Sequence, residues 1–225
     1  MLFVMFDAIM KYKTVIFDFD GVLGKTMYDN YAAWTHVFEL VGISMERVEY
    51  FLLEGMNPRK VAETILARNG RDMTMAPRLA SLKEQYYCEH NSFVFYPRAQ
   101  EIIAMLHGKY RLSLVTGAGS KRLAKTVSRE FLSSFDVIIT GDDVLNPKPD
   151  PEPYLIAMAR LNAASAECVV IENAPLGISA VKNAGMDCIA ICSTLDQSYL
   201  SQANVIVHDL QEAAAYLLGT GFKMP

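Results

Sequence analysis

Two aspartates one residue apart, Asp18 and Asp20, end the apolar run "TVIFDFDGVL" (14–23). Carboxylates this close repel, and burial raises the cost, so a buried strand that finishes this way needs a cation or a division of labour between the two acids. Further along, Thr116 closes "RLSLVT", Lys148 stands in the proline-rich "NPKPDPEPY", and Glu172 and Asn173 follow "CVVI". A magnesium ion held by oxygens of Asp18, Asp20, Glu172 and Asn173 would supply the cation. Lys148 and Thr116 would then be donors for an anion bound beside it. Oxygen ligands, one lysine, one hydroxyl and backbone amides are the parts that phosphoryl transfer uses. Asp142 and Asp143 follow "VIIT" and are either acids close to Lys148 or plain loop residues.

These residues form one site only if the chain brings them to a common edge. After Leu23 the apolar spacing changes from strand to helix, with amphipathic stretches at 26–42, 44–55, 57–70 and 76–90. Ser44 is a candidate cap for the second, and Asn57 followed by Pro58 a cap and first-turn pair for the third. From about Phe95 short apolar strands alternate with helices at 97–107, 120–131, 151–162 and 175–184, followed by a short helix and a last one ending near Gly219. That rhythm predicts right-handed crossovers and a parallel sheet covered on both faces, with ligands bound outside the carboxyl ends of the strands. The expected fold class is α/β: a Rossmann-like parallel core formed by 1–24 and 95–225, interrupted by an inserted helical domain at 25–94.

Bulk properties exclude several function classes. The chain has 225 residues, 52% of them apolar and 20% charged, with a net charge of -4. It therefore has enough length for a substantial core and no basic stripe for nucleic acid. Cys88, Cys168, Cys188 and Cys192 make no CxxC pair and no zinc spacing with the histidines, which fits a reducing cytoplasm. The apolar opening "MLFVMFDAIM" is too short to span a bilayer and lacks signal-peptide flanks. Met10 is a candidate natural start, and residues 1–10 are read as functionally silent. No membrane or nucleic-acid partner and a monomeric state are expected.

"DFDGVL", "VTGAG", "NPKPDPEPY" and "VIENAPLGISAVKNAG" resemble, in order, the four motifs of the haloacid dehalogenase (HAD) superfamily. The match is to the branch of phosphatases and β-phosphoglucomutase whose helical cap follows the first motif. The resemblance implies that Asp18 is the nucleophile that forms an aspartyl-phosphate. Asp20 would protonate the leaving group and then activate water, and Thr116 and Lys148 would hold the transferring phosphoryl group. Magnesium would be bound by Asp18, the Asp20 carbonyl, Glu172 and Asn173, directly or through water. A dehalogenase lacks the second aspartate and needs no magnesium, so the resemblance is to a phosphoryl-transfer member.

Two departures shape that reading. Asn173 stands where most relatives carry an aspartate, which implies weaker metal binding. Lys25 and Asn30 occupy the places where β-phosphoglucomutase-like members have an aspartate and a histidine, which argues against a mutase. The segment "FLLEGMNPRKVAETI" resembles the cap loop of some phosphatases, including an inorganic-pyrophosphatase-like group. The resemblance implies that Glu54 reaches the magnesium when the cap closes. Gly117 and Arg59, with Lys60 nearby, complete the substrate-binding candidates. The expected function is a magnesium-dependent phosphohydrolase acting on a small phosphorylated metabolite, of sugar phosphate type, or on inorganic pyrophosphate. A β-phosphoglucomutase-type phosphomutase and a non-catalytic binding protein on the same fold are the alternatives.

Overall fold

The computed structural model describes residues 11–219; the reading of residues 1–10 as silent falls outside them. Six strands form: β1 (Thr14–Asp18), β2 (Arg111–Val115), β3 (Val137–Ile139), β4 (Cys168–Glu172), β5 (Asp187–Ile191) and β6 (Val205–Val207). All pair in parallel, in the order β3-β2-β1-β4-β5-β6. Successive strand side chains point to opposite faces, and in β1 every residue is buried, so both faces of the sheet must be covered. Asp18 lies opposite Val115 of β2, and Phe17 opposite Ile171 of β4. Asp18, Thr116 and Glu172 therefore leave three adjacent strands at one edge. The chain winds outward from β1 in both directions, and the crevice at such a switch point is where open α/β sheets bind ligands.

Between β1 and the rest of the sheet the chain forms α1 (Met27–Glu39), α2 (Arg47–Phe51), α3 (Pro58–Arg68) and α4 (Ala76–His90). Their apolar stripes make a cluster of their own, centred on Trp34, Phe38, Phe51, Ile65 and Leu66. The later helices are α5 (Ala99–Leu106), α6 (Ser120–Thr126), α7 (Arg129–Leu132), α8 (Glu152–Arg160), α9 (Pro175–Asn183) and α10 (Leu210–Leu218). One sheet face packs Phe17, Leu114 and Ile171 against residues of α5, α6, α7 and α10. The other packs Ile16, Val170 and Cys188 against residues of α8 and α9. Each such fully buried side chain contributes about 1.5–3 kcal/mol, so the sheet centre holds its polar edge in place.

Two helices differ from the sequence expectation. The stretch 44–55 yields only the five residues of α2, preceded by Glu46 rather than capped by Ser44. The remainder turns, and Gly55, at φ +91°, sits where a Cβ would lie 2.8 Å from Lys148 Cδ. That turn brings Glu54 inward, which a continued helix would not. The stretch 120–131 breaks at Val127, which is extended, and Ser128 restarts it by accepting from the Phe131 N–H. The Asn57 cap forms as the sequence predicts, its side chain accepting from the Lys60 N–H, with Pro58 in the first turn. No helix among the described residues is long and apolar enough to cross a membrane.

Candidate active site

Asp18 ends β1 in the centre of the sheet and is 4% exposed. Lys148 Nζ donates to Asp18 Oδ1 (2.6 Å) and to Glu172 Oε1 (2.8 Å). The Tyr154 hydroxyl also donates to Glu172 Oε1 at 2.8 Å, and the N–H groups of Asn173 (2.7 Å) and Ala174 (3.1 Å) donate to Oε2. Glu172 is thus filled by protein donors on both oxygens, and its direct effect is to anchor Lys148. Burial lifts the Asp18 carboxyl well above the usual carboxylate range; Lys148 opposes this, while Glu172 and Asp20 add to it. Burial also disfavours the Lys148 ammonium, but Asp18 and Glu172 outweigh it and hold the lysine charged.

The Glu172 side chain runs directly over α9, where a Cβ on Gly177 would lie 1.7 Å from Oε1. The four hydrogen bonds on that carboxylate leave it nowhere to move. Gly177→Ala is therefore expected to cost about 1–3 kcal/mol. For a chain of this size that lowers the thermal midpoint by several degrees, measurable by calorimetry.

Asp20 lies in a second polar cluster. Its Oδ1 accepts from the Thr26 hydroxyl (2.5 Å), and from Asn30 Nδ2 and Arg122 Nη1 (3.4 Å each). Its Oδ2 accepts from Arg122 Nη2 (2.9 Å) and the Thr116 hydroxyl (3.3 Å). Burial works against the ionised form, yet Arg122 and Thr26 outweigh it and hold the carboxyl below its usual range. Lys83 of α4 donates to Asn30 Oδ1 (2.5 Å) and to Glu84 (2.8 Å), so the helical insertion is tied to Asp20 through Asn30. Arg122 and Lys83 carry no strand-end signal and escape the sequence reading. The available clue to Lys83 was its place on the buried α4 stripe with Leu79, Ala80 and Tyr87.

The inward turn after α2 delivers Glu54, 4% exposed, to the sheet edge beside Asn173. Its Oε2 accepts from Asn173 Nδ2 at 2.9 Å, and Thr194 Oγ1 accepts from the same amide at 3.2 Å. Burial and then Asp18 push the Glu54 carboxyl well above its ordinary range. Glu54 Oε1 and Asn173 Oδ1 are buried acceptors with no hydrogen-bond partner. Gly21, at φ +85°, leaves room for both, since a Cβ there would lie 2.0 Å from Asn173 Nδ2 and 2.9 Å from Glu54 Oε1. Among the described residues no three His, Cys, Asp or Glu side chains converge on one point. Two orphaned oxygens beside the acidic Asp18 nonetheless fit a hard divalent cation, which takes oxygen ligands including amide carbonyls. Asp18, Glu54 and Asn173 are the side chains that would hold it. Asp20 and Glu172 have their side-chain oxygens engaged elsewhere.

Asp18, Asp20, Asn30, Glu54, Gly117, Lys83 and Arg122 line a small cavity of about 30 Å³ between the insertion and the sheet edge. Gly117 is pressed against the insertion, where a Cβ would sit 3.1 Å from the Gly55 carbonyl oxygen. Arg59 is not brought into this cavity: it is exposed on α3 and paired with Glu63 at 2.9 Å, and Lys60 lies 3.6 Å from the same carboxylate. Lys25 lies over the Tyr96 ring. Asp142 accepts from the Ser120 N–H and hydroxyl, and Asp143 from Thr140 and Arg160, so both brace loops.

Comparison with known proteins shows the family and the fold. The profile of the haloacid dehalogenase-like hydrolase family matches residues 15–191. A β-phosphoglucomutase of Bacillus subtilis is 30% identical over 189 residues, covering 80% of this chain and 83% of that protein. A validoxylamine A 7'-phosphate phosphatase of Streptomyces hygroscopicus is 28% identical, covering 89% of this chain and 95% of its own length. Among solved structures, a candidate β-phosphoglucomutase of Bacteroides vulgatus superposes with a TM-score of 0.82 at 27% identity, covering 96% of this chain and 92% of that one. With its six-stranded parallel sheet, paired aspartates at the central strand and helical insertion, the chain belongs to the haloacid dehalogenase-like hydrolase family.

Proposed function

We propose that the protein is a magnesium-dependent phosphohydrolase that works through an aspartyl-phosphate on a small phosphorylated metabolite or inorganic pyrophosphate. One observation carries the reading: Asp18 and Asp20 line one small cavity, with Lys148 donating to Asp18 and with Arg122 and Thr116 donating to Asp20. Relatives whose names specify phosphorylated carbohydrates, such as the fructose-1-phosphate phosphatase YqaB of Escherichia coli at 25% identity, support the substrate class.

In the first step an Asp18 oxygen attacks phosphorus and the bond to the leaving oxygen breaks. Asp20, which takes up a proton once Arg122 no longer pairs with it, gives that proton to the leaving oxygen. In the second, Asp20 takes a proton from water as the water oxygen attacks phosphorus, and the Asp18–phosphorus bond breaks. Lys148 and Thr116 hold the charged oxygens of the transferring group. Bound magnesium would offset the charge of Asp18, Glu54 and the phosphoryl group. The insertion acts as a cap: it must open to admit substrate to so small a cavity, and closing it excludes bulk water. A phosphomutase would use the same parts, and the B. subtilis relative keeps that reading in the test. Phosphate release is measured with and without magnesium across pyrophosphate, hexose phosphates and phosphoglycolate. Magnesium-dependent release supports the hydrolase, whereas interconversion of sugar phosphates without release would replace it with the mutase.

Glu54 gives a check that does not depend on turnover. Its carboxyl is raised in the folded state, so native protein keeps a proton that the unfolded chain loses above about pH 4.3. The native state binds more protons, and this group's contribution to stability falls as pH rises from there. In metal-free protein Glu54→Gln is therefore expected to raise the thermal midpoint at neutral pH by a few degrees, about 2–4 °C per kcal/mol recovered. The gain should shrink as pH falls towards that of an ordinary carboxyl, and added magnesium should stabilise the variant less than the wild type. A lower midpoint with an unchanged magnesium response would contradict the assignment.

A further inference from the structure

Arg122 stands between two spaces. It lines the small cavity of about 30 Å³ and, from its other side, a wider cleft of about 590 Å³ between α4 and α6. The two spaces also share Glu84 and Pro58. The guanidinium is 8% exposed, lies 5.0 Å over the Tyr87 ring and puts its fork on Asp20. Its Nε lies 3.5 Å from Glu84 Oε2 and makes no hydrogen bond. In this closed arrangement Arg122 and Glu84 wall off the reacting carboxylates from the cleft.

The proposed chemistry requires this wall to change. Both Asp20 oxygens are occupied, Oδ2 by Arg122 Nη2 at 2.9 Å and the Thr116 hydroxyl at 3.3 Å. A leaving-group oxygen that takes its proton from Asp20 must displace one of these donors, and Arg122 is the one that also borders the wider cleft. A guanidinium stays charged, and on leaving Asp20 it keeps only Glu84, 3.5 Å from Nε, so an anion on the substrate that replaces the Asp20 partner favours the exchange. A hydroxyl cannot do this, whereas a carboxylate or phosphate matches the planar fork with two parallel hydrogen bonds. Lys83, 2.5 Å from Asn30 on the same cavity wall, adds a second positive charge facing that position.

Building on the phosphohydrolase reading, we infer that Arg122 is a specificity residue that exchanges the Asp20 carboxylate for a second anionic group on the substrate's leaving side, with the rest of that group directed into the α4–α6 cleft. The substrate class is then phosphate esters or anhydrides whose leaving group is itself a carboxylate or phosphate.

The test uses substrates matched except for that charge: phosphoglycolate against ethylene glycol monophosphate, and 3-phosphoglycerate against glycerol 3-phosphate. Values of kcat/KM are measured for wild type, Arg122→Lys and Arg122→Met, with thermal midpoints recorded alongside. Wild type is expected to favour the anionic member by roughly 10- to 100-fold, the range of one charge-assisted pair. Arg122→Met should bring the ratio to within about threefold of unity, and Arg122→Lys should keep part of it. If Arg122→Met does not fold, Arg122→Lys carries the comparison. A wild-type ratio near one, or equal losses on both members in the variants, would overturn the inference and leave Arg122 as a positioning residue for Asp20. Asp18-dependent release from any substrate would in that case leave the hydrolase reading standing. Absence of such release from every substrate would remove both.

Discussion

Asp18→Asn is expected to lower phosphate release by more than about 10⁴-fold while leaving the fold intact, because the nucleophile is the one group whose work no neighbour can take over. Asparagine has nearly the same shape, and its carbonyl oxygen can still accept from Lys148 at the place of Oδ1. What disappears is the anionic second oxygen. Asp20 cannot substitute: its oxygens are held by Thr26, Asn30, Arg122 and Thr116, and its ionised form is favoured by those donors. Phosphate release measured at saturating substrate, with circular dichroism and thermal midpoint on the same preparation, checks the result. Residual activity within about tenfold of wild type would mean that Asp18 is not the attacking group.

Lys148→Met has the largest expected effect on stability. Lys148 is 2% exposed and is the cation between the Asp18 and Glu172 carboxylates. Methionine fills comparable space against Gly55 and Tyr154 but leaves two buried carboxylates facing each other with Glu54 close by. Removing one partner of a buried ion pair typically costs about 3–5 kcal/mol. At about 2–4 °C per kcal/mol the midpoint should fall by roughly 10 °C. Activity should fall by at least about 10²–10³-fold, since a donor to the transferring phosphoryl group is lost as well. The Asp18 carboxyl is already raised in the wild type and rises further without the lysine. In the variant the native state therefore binds more protons than the unfolded chain above about pH 4, and the stability deficit grows as pH rises. Denaturant unfolding at two pH values tests this; a deficit that widens on acidification would contradict it.

The sheet and its polar edge were legible because both rest on short-range pattern. Six apolar runs, each ended by a glycine, a turn or a polar residue, mark strands that must be buried on both faces, and Asp18, Thr116 and Glu172 stand out because they end such runs. Lys148 was visible as a single cation within a rigid proline-rich loop. Arg122 and Lys83 were hidden because their burial comes from α4 lying against α6, a contact between segments far apart in sequence. Taken alone, "SKRLAKT" reads as a solvated helix. Another contact between distant segments accompanies the short α2: past it the chain turns, and Gly55 lies against Lys148 and Gly117. Arg59 shows the converse: a basic residue near the cap loop whose pairing with Glu63 is local, four residues along one helix. The filled state of Glu172 depends on Tyr154 and on two backbone amides, which no motif spacing specifies.

The most direct test of the account is a single-turnover reaction quenched in acid, followed by peptide mapping for a bound phosphoryl group. The account predicts a base-labile phosphoryl group on the peptide that contains Asp18, formed with the substrate that gives the highest release rate, decaying as free phosphate appears, and absent in Asp18→Asn. Rapid phosphate release from wild type with no protein-bound phosphoryl group at any time resolved, or with the group on a residue other than Asp18, would contradict it.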